Sequence, residues 1–150
     1  MFYSFTPIKN GFYSVDTCDG TNFDTIIGVY SGECSSLVCV EGNDDACGRG
    51  SEVIFWGSAY VAYTIMVGSY SSDVDVSTSI YKLNLVRFIP PHPLPTPTIP
   101  TPTPTPTTPP FTCESAIAIQ LDEDIQDSLR NVPSTPFPSC GNIIWRGGRS

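Results

Sequence analysis

From Ile89 to Thr112 the chain reads IPPHPLPTPTIPTPTPTPTTPPFT, and this stretch holds most of its 15 prolines. Each proline fixes φ and removes an amide donor, so neither a helix nor an interior strand can form there. Polyproline II is the option left, stiff and extended, and at its rise per residue the tract would reach about 70 Å. A globular domain near this size is only about 35 Å across. The 150 residues therefore divide into a head, 1–88, a Pro/Thr-rich linker, 89–112, and a tail, 113–150. A tail that short cannot bury a core of its own.

The head reads as strands throughout. FYSFT, GFYSVD, TIIGVYS, SEVIFW, YVAYTIMVG and SIYKLNLVRF are rich in β-branched and aromatic residues. Turn clusters separate them: KNG, CDGTN, SGEC, EGNDDACGRG and SYSSD. Short strands at regular spacing, without helical period, predict an all-β fold, an antiparallel β-sandwich of jelly-roll type.

The tail returns to strand chemistry. AIAIQL alternates Ile117, Ile119 and Leu121, and IQDSLRNV offers a second strand. A helix competes for 114–130, because Ile117, Leu121, Ile125 and Leu129 recur four apart.

Charge and cysteines bound the function. The net charge is −8, with 7 scattered Lys and Arg, so no basic stripe is available for nucleic acid or an anionic membrane surface. No apolar run reaches the length of about eighteen residues that a membrane span requires. Six cysteines, at 18, 34, 39, 47, 113 and 140, point to disulfides and an oxidising compartment. Zinc is the rival, but the paired knuckle spacing is missing and the single His, His92, lies among prolines. MFYSFTPIKN carries no secretory signal, which for an oxidised chain suggests a mature product or a piece of something longer.

Read end to start, the tail and head join into one continuous domain: CESA at 113–116, CG at 140–141, then MFYSFT at 1–6 and DTC at 16–18. FDTIIGVYSGEC at 23–34, LVCVEGNDDACG at 37–48, SEVIF at 51–55 and YTIMVG at 63–68 follow. In this order the sequence resembles a family of secreted β-sandwich repeats akin to bacterial pre-peptidase C-terminal domains, which occur in multi-repeat surface proteins. The resemblance covers all but the Pro-Thr tract, and it is circularly offset: the family's first strands sit here at the C-terminus. It tips the tail toward strand. It also implies that residues 1–88 lack their first strands and that residues 113–150 supply them as donor strands through Ala116, Ile117, Ala118, Ile119, Leu121, Ile125 and Leu129.

A stiff linker longer than the domain favours delivery to the next unit, and a repeating head-to-tail contact generates a filament. The expectation is a structural subunit of an extracellular or cell-surface fibre whose partners are identical units. These are either separate chains or periods of one tandem array. The alternatives are a carbohydrate- or protein-binding adhesion module and an accessory repeat of a secreted hydrolase. With loop geometry, the resemblance further suggests the pairs Cys18–Cys47, Cys34–Cys39 and Cys113–Cys140, the last stapling the donor segment.

Other candidate sites follow from composition. Thr96, Thr98, Thr101, Thr103, Thr105, Thr107, Thr108 and Thr112 suit O-glycosylation as in mucin-like stalks, against a bare spacer. Covalent glycans are thus expected, and no cofactor is. A calcium site is conceivable at Asp24, Asn43, Asp44 and Asp45, against a turn whose side chains bond local backbone. Trp56, Tyr60, Tyr63 and Tyr70 could stack sugars, against ordinary packing. No spacing of Ser, His and Asp signals catalysis, and an enzyme is not expected.

Overall fold

A computed structural model describes residues 1–71, 74, 75, 77–90, 113, 116–122, 125–127 and 140. Within them nine strands form: β1 (Phe2–Phe5), β2 (Gly11–Asp16), β3 (Thr25–Ser31), β4 (Val38–Asn43) and β5 (Glu52–Gly57). β6 (Tyr63–Ser69), β7 (Tyr81–Phe88), β8 (Ile117–Ala118) and β9 (Ile125–Asp127) complete the set. The strands assemble into a five-stranded sheet, β4-β3-β6-β1-β8, and a four-stranded sheet, β5-β2-β7-β9. Every pairing is antiparallel except β1 with β8, which is parallel. The molecule is an all-β sandwich, as the strand pattern predicts. Among the described residues no helix is long and apolar enough to cross a membrane.

Period-two alternation builds the core. Tyr3 and Phe5, Tyr13 and Val15, Ile27 and Val29 point between the sheets. Val53 and Phe55, Ile65 and Val67, Leu83 and Leu85 meet them from the other strands. Each such side chain contributes about 1.5–3 kcal/mol on leaving water. Aromatic rings lock the layers at one end, with Phe5 edge-on to Tyr13 at 5.1 Å and Phe55 tilted against Tyr63 at 5.3 Å.

The opposite end is closed by buried hydroxyls. Thr17 and Thr25 share a hydrogen bond of 2.7 Å between their Oγ1 atoms, and Ser51 Oγ donates to the Thr25 carbonyl at 2.6 Å. The Cys18–Cys47 disulfide lies beside this network, where Gly50 packs so closely that a Cβ would meet Cys47 Sγ at 2.7 Å and Thr17 O at 2.8 Å.

Three elements go beyond the sequence reading. β4 forms in a stretch whose end, Glu-Gly-Asn, reads as turn; as an edge strand it has one partner, β3, and a bulge interrupts that ladder between Val29 and Tyr30. β3 and β6 are buried on both faces rather than one, with Ile26, Tyr30 and Met66 turned outward yet covered.

Candidate functional site: the seat of the C-terminal segment

Without β8 and β9, the two sheets would end at β1 and β7 on the same side of the sandwich. β1 and β7 would then present unpaired backbone and the rim of the core. The C-terminal segment fills both edges and crosses from one sheet to the other. Ile117 and Ala118 run parallel to Tyr3 and Ser4, and the Ile119 amide donates to the Ser4 carbonyl at 3.0 Å. The chain then turns at Asp122, whose φ of 59° is a left-handed conformation that Asp tolerates better than most residues, and the Asp122 amide donates to Leu85 O at 2.9 Å. Ile125, Gln126 and Asp127 next pair with Leu83, Lys82 and Tyr81.

The donor residues divide by role. Ile119 is only 4% exposed and joins the main core, with Leu121 and Ile125 packed half-buried against it. Ile117, by contrast, is 45% exposed, so the alternation of AIAIQL does not put all three apolar residues into the core. The strand stops at Ala118, and the chain then descends into the gap between the sheets. Ala116 lies with the outer cluster described below, Ala118 is exposed, and Leu129 falls outside the described residues.

A polar triad of two buried tyrosines and a half-buried aspartate fixes the register. Tyr3 Oη donates to Asp127 Oδ2 at 2.8 Å, leaving the Tyr81 hydroxyl to donate to Tyr3 Oη at 2.5 Å. Burial pushes the ionisation of both phenols well above the ordinary tyrosine range, chiefly by desolvation, and the Asp127 charge adds to it. Tyr3 belongs to the first sheet, Tyr81 to the second and Asp127 to the tail, so one chain of hydrogen bonds ties all three. Sequence reasoning missed this triad, because nothing in the spacing of three residues so far apart marks them as partners.

A second apolar cluster lies on the outer face of the five-stranded sheet. Phe2, Tyr30 and Met66 point away from the core and are covered by Cys113 and Cys140, both buried, with Cys34, Leu37, Cys39 and Ala116 around them. The signal for it was present: TIIGVYS and YTIMVGS are continuous apolar runs, the pattern of strands covered on both faces.

This covering corrects two disulfides. Cys18–Cys47 forms as the resemblance implies, but Cys34 bonds Cys113 and Cys39 bonds Cys140, in place of the local pairs Cys34–Cys39 and Cys113–Cys140. The reason is the apolar outer face. Seating the tail across it brings Cys113 against the β3–β4 connection and Cys140 against β4, with Cα separations of 5.6 and 5.0 Å.

The other candidates separate. Asp24 Oδ1 is buried without a hydrogen-bond partner, and its carboxyl is raised above its usual range by desolvation and by Asp45 and Asp44, against an opposing effect of Arg49. Asn43 Oδ1 instead caps the turn, accepting from the Asp45 amide at 2.7 Å. Among the described residues no three His, Cys, Asp or Glu side chains gather as a metal-holding group. The aromatic set does not form one platform. Tyr63 is in the core, Tyr60 and Tyr70 are exposed, and Trp56 sits on the outer face of the four-stranded sheet, edge-on to Phe12 at 5.0 Å. His92 and the eight threonines proposed for glycosylation lie outside the described residues. Neither a family model, nor a curated protein, nor a solved structure matches the chain.

Proposed function

We propose that the chain is a structural unit of an extracellular fibre or surface appendage, O-glycosylated along its Pro-Thr tract and built by docking residues 113–150 of one unit into the next. The observation that supports this is the seat itself. The head presents two adjacent open edges, β1 and β7, and the segment that fills them arrives from beyond a tract that breaks every regular element. Within this structure the acceptor is the same chain. The contacts, main-chain ladders, one isoleucine in the core and a tyrosine–carboxylate triad, are equally available to a tail from a neighbouring copy. Donor and acceptor then exchange identical elements, and because the contact is heterologous it propagates. Three disulfides suit an oxidising, extracellular setting.

Seating in the same chain favours a second reading, a self-completed bead acting as an adhesion module. Light scattering and electron microscopy of the full chain separate the two. The fibre reading expects filaments, or species far above 16.2 kDa, that disappear in Ile119→Asp. A monodisperse monomer at micromolar concentration, with its tail protected from protease, would establish the bead.

A further inference from the structure

Both disulfides that hold the tail cross the Pro-Thr tract. Cys34–Cys113 spans a sequence separation of 79 and Cys39–Cys140 one of 101, whereas Cys18–Cys47 stays within the head. Among the six cysteines none is left free, and no bond joins tail to tail. The tail is therefore anchored at two points on one acceptor element, the β3–β4 hairpin, with β8 and β9 between them in sequence. From this we infer that docking is sealed covalently: each junction between units carries two interchain disulfides, Cys34 and Cys39 of the acceptor to Cys113 and Cys140 of the donor.

The inference rests on the fibre reading above and adds its chemistry. Before docking, the head offers two thiols beside an exposed apolar face of Phe2, Tyr30 and Met66, and the tail offers two more. Seating the tail buries that face and aligns the pairs. Each bond forms by exchange with a small-molecule or protein disulfide. A thiolate attacks the donor disulfide, the second thiolate displaces the mixed disulfide, and the donor leaves as two thiols carrying the two electrons. Both half-cystines of the tail end up buried, Cys113 at 4% and Cys140 at 0% exposure, while their partners Cys34 and Cys39 are half-buried. The polymer that results survives denaturants that dissolve strand pairing and falls apart under a thiol.

The test uses full-length chain made separately with ¹⁴N and ¹⁵N, mixed after reduction in denaturant, refolded together under oxidising glutathione, and alkylated. Half of the sample is run on a denaturing gel without reductant, and half is digested for mass spectrometry of cross-linked peptides. The expected result is a ladder in steps of one chain that collapses to a single band with dithiothreitol. About half of the Cys34–Cys113 and Cys39–Cys140 peptide pairs should join light to heavy, as random pairing between copies requires. Multimers present under native conditions that run as a monomer on the unreduced gel, with unmixed isotopes, would overturn the covalent seal and leave the fibre reading standing. Monomer under both conditions, with unmixed isotopes, would overturn both.

Discussion

Among the described residues of the donor set Ile119 is the one fully buried in the core between the sheets, with Leu121 and Ile125 only half-buried against it. Truncating Ile119 to alanine should cost about 2–4 kcal/mol in a urea titration, the usual loss for a buried isoleucine. Ile117→Ala, two residues away and half-exposed, should cost under about 1 kcal/mol. Equal losses at the two positions would mean that the tail seats in another register. The tyrosine pair gives a pH signature at the same scale. Tyr3 and Tyr81 keep their protons in the fold, whereas in the unfolded chain they ionise near the ordinary value of about 10. Above that pH the unfolded state binds fewer protons than the folded one, so stability falls as pH rises and is fully retained below it. Thermal melts of Tyr81→Phe from pH 8 to 11 should show a shallower alkaline decline than the wild type; an unchanged slope would remove the triad from the account.

At the scale of elements, the tail is held by means that complement each other. β8 and β9 are only two and three residues long, too short for their ladders to hold by themselves. Formed within one chain, as in this structure, the two disulfides remove chain entropy from the undocked state, about 4–5 kcal/mol for a loop the length of that closed by Cys34–Cys113. Replacing Cys39 and Cys140 together by serine should lower the midpoint of unfolding and increase binding of a hydrophobic dye, as the outer cluster of Phe2, Tyr30 and Met66 loses its cover. Replacing Cys18 and Cys47 should destabilise the head without increasing that dye signal. β4 belongs to the same account: it is a weak edge strand by composition, and both tail disulfides anchor on it or on the connection before it.

For the whole molecule, the tail decides whether the head is a closed body. Residues 1–88 contain seven strands and nearly all the core, yet two of those strands, β1 and β7, each have an open side until residues 113–150 arrive. An exposed apolar edge is a template for pairing with other chains. Deleting residues 113–150 should therefore leave a chain that aggregates during purification, and a soluble stable monomer from that deletion would argue against strand completion of any kind. A net charge of −8 favours solubility without altering which edges the unit must cover.

The alternation of Tyr81, Leu83 and Leu85, the turn clusters between strands and the absence of helical period in the head were local features. A local signal was enough to specify an antiparallel sandwich. The prolines of 89–112 are an equally local signal, and in the sequence they mark off the head from the tail. Which cysteines pair, that Ile119 rather than Ile117 enters the core, and that Asp127 meets Tyr3 are settled only when sheets stack and the tail crosses them. These contacts join residues distant along the chain, and no periodicity within a strand records what will lie against its far face.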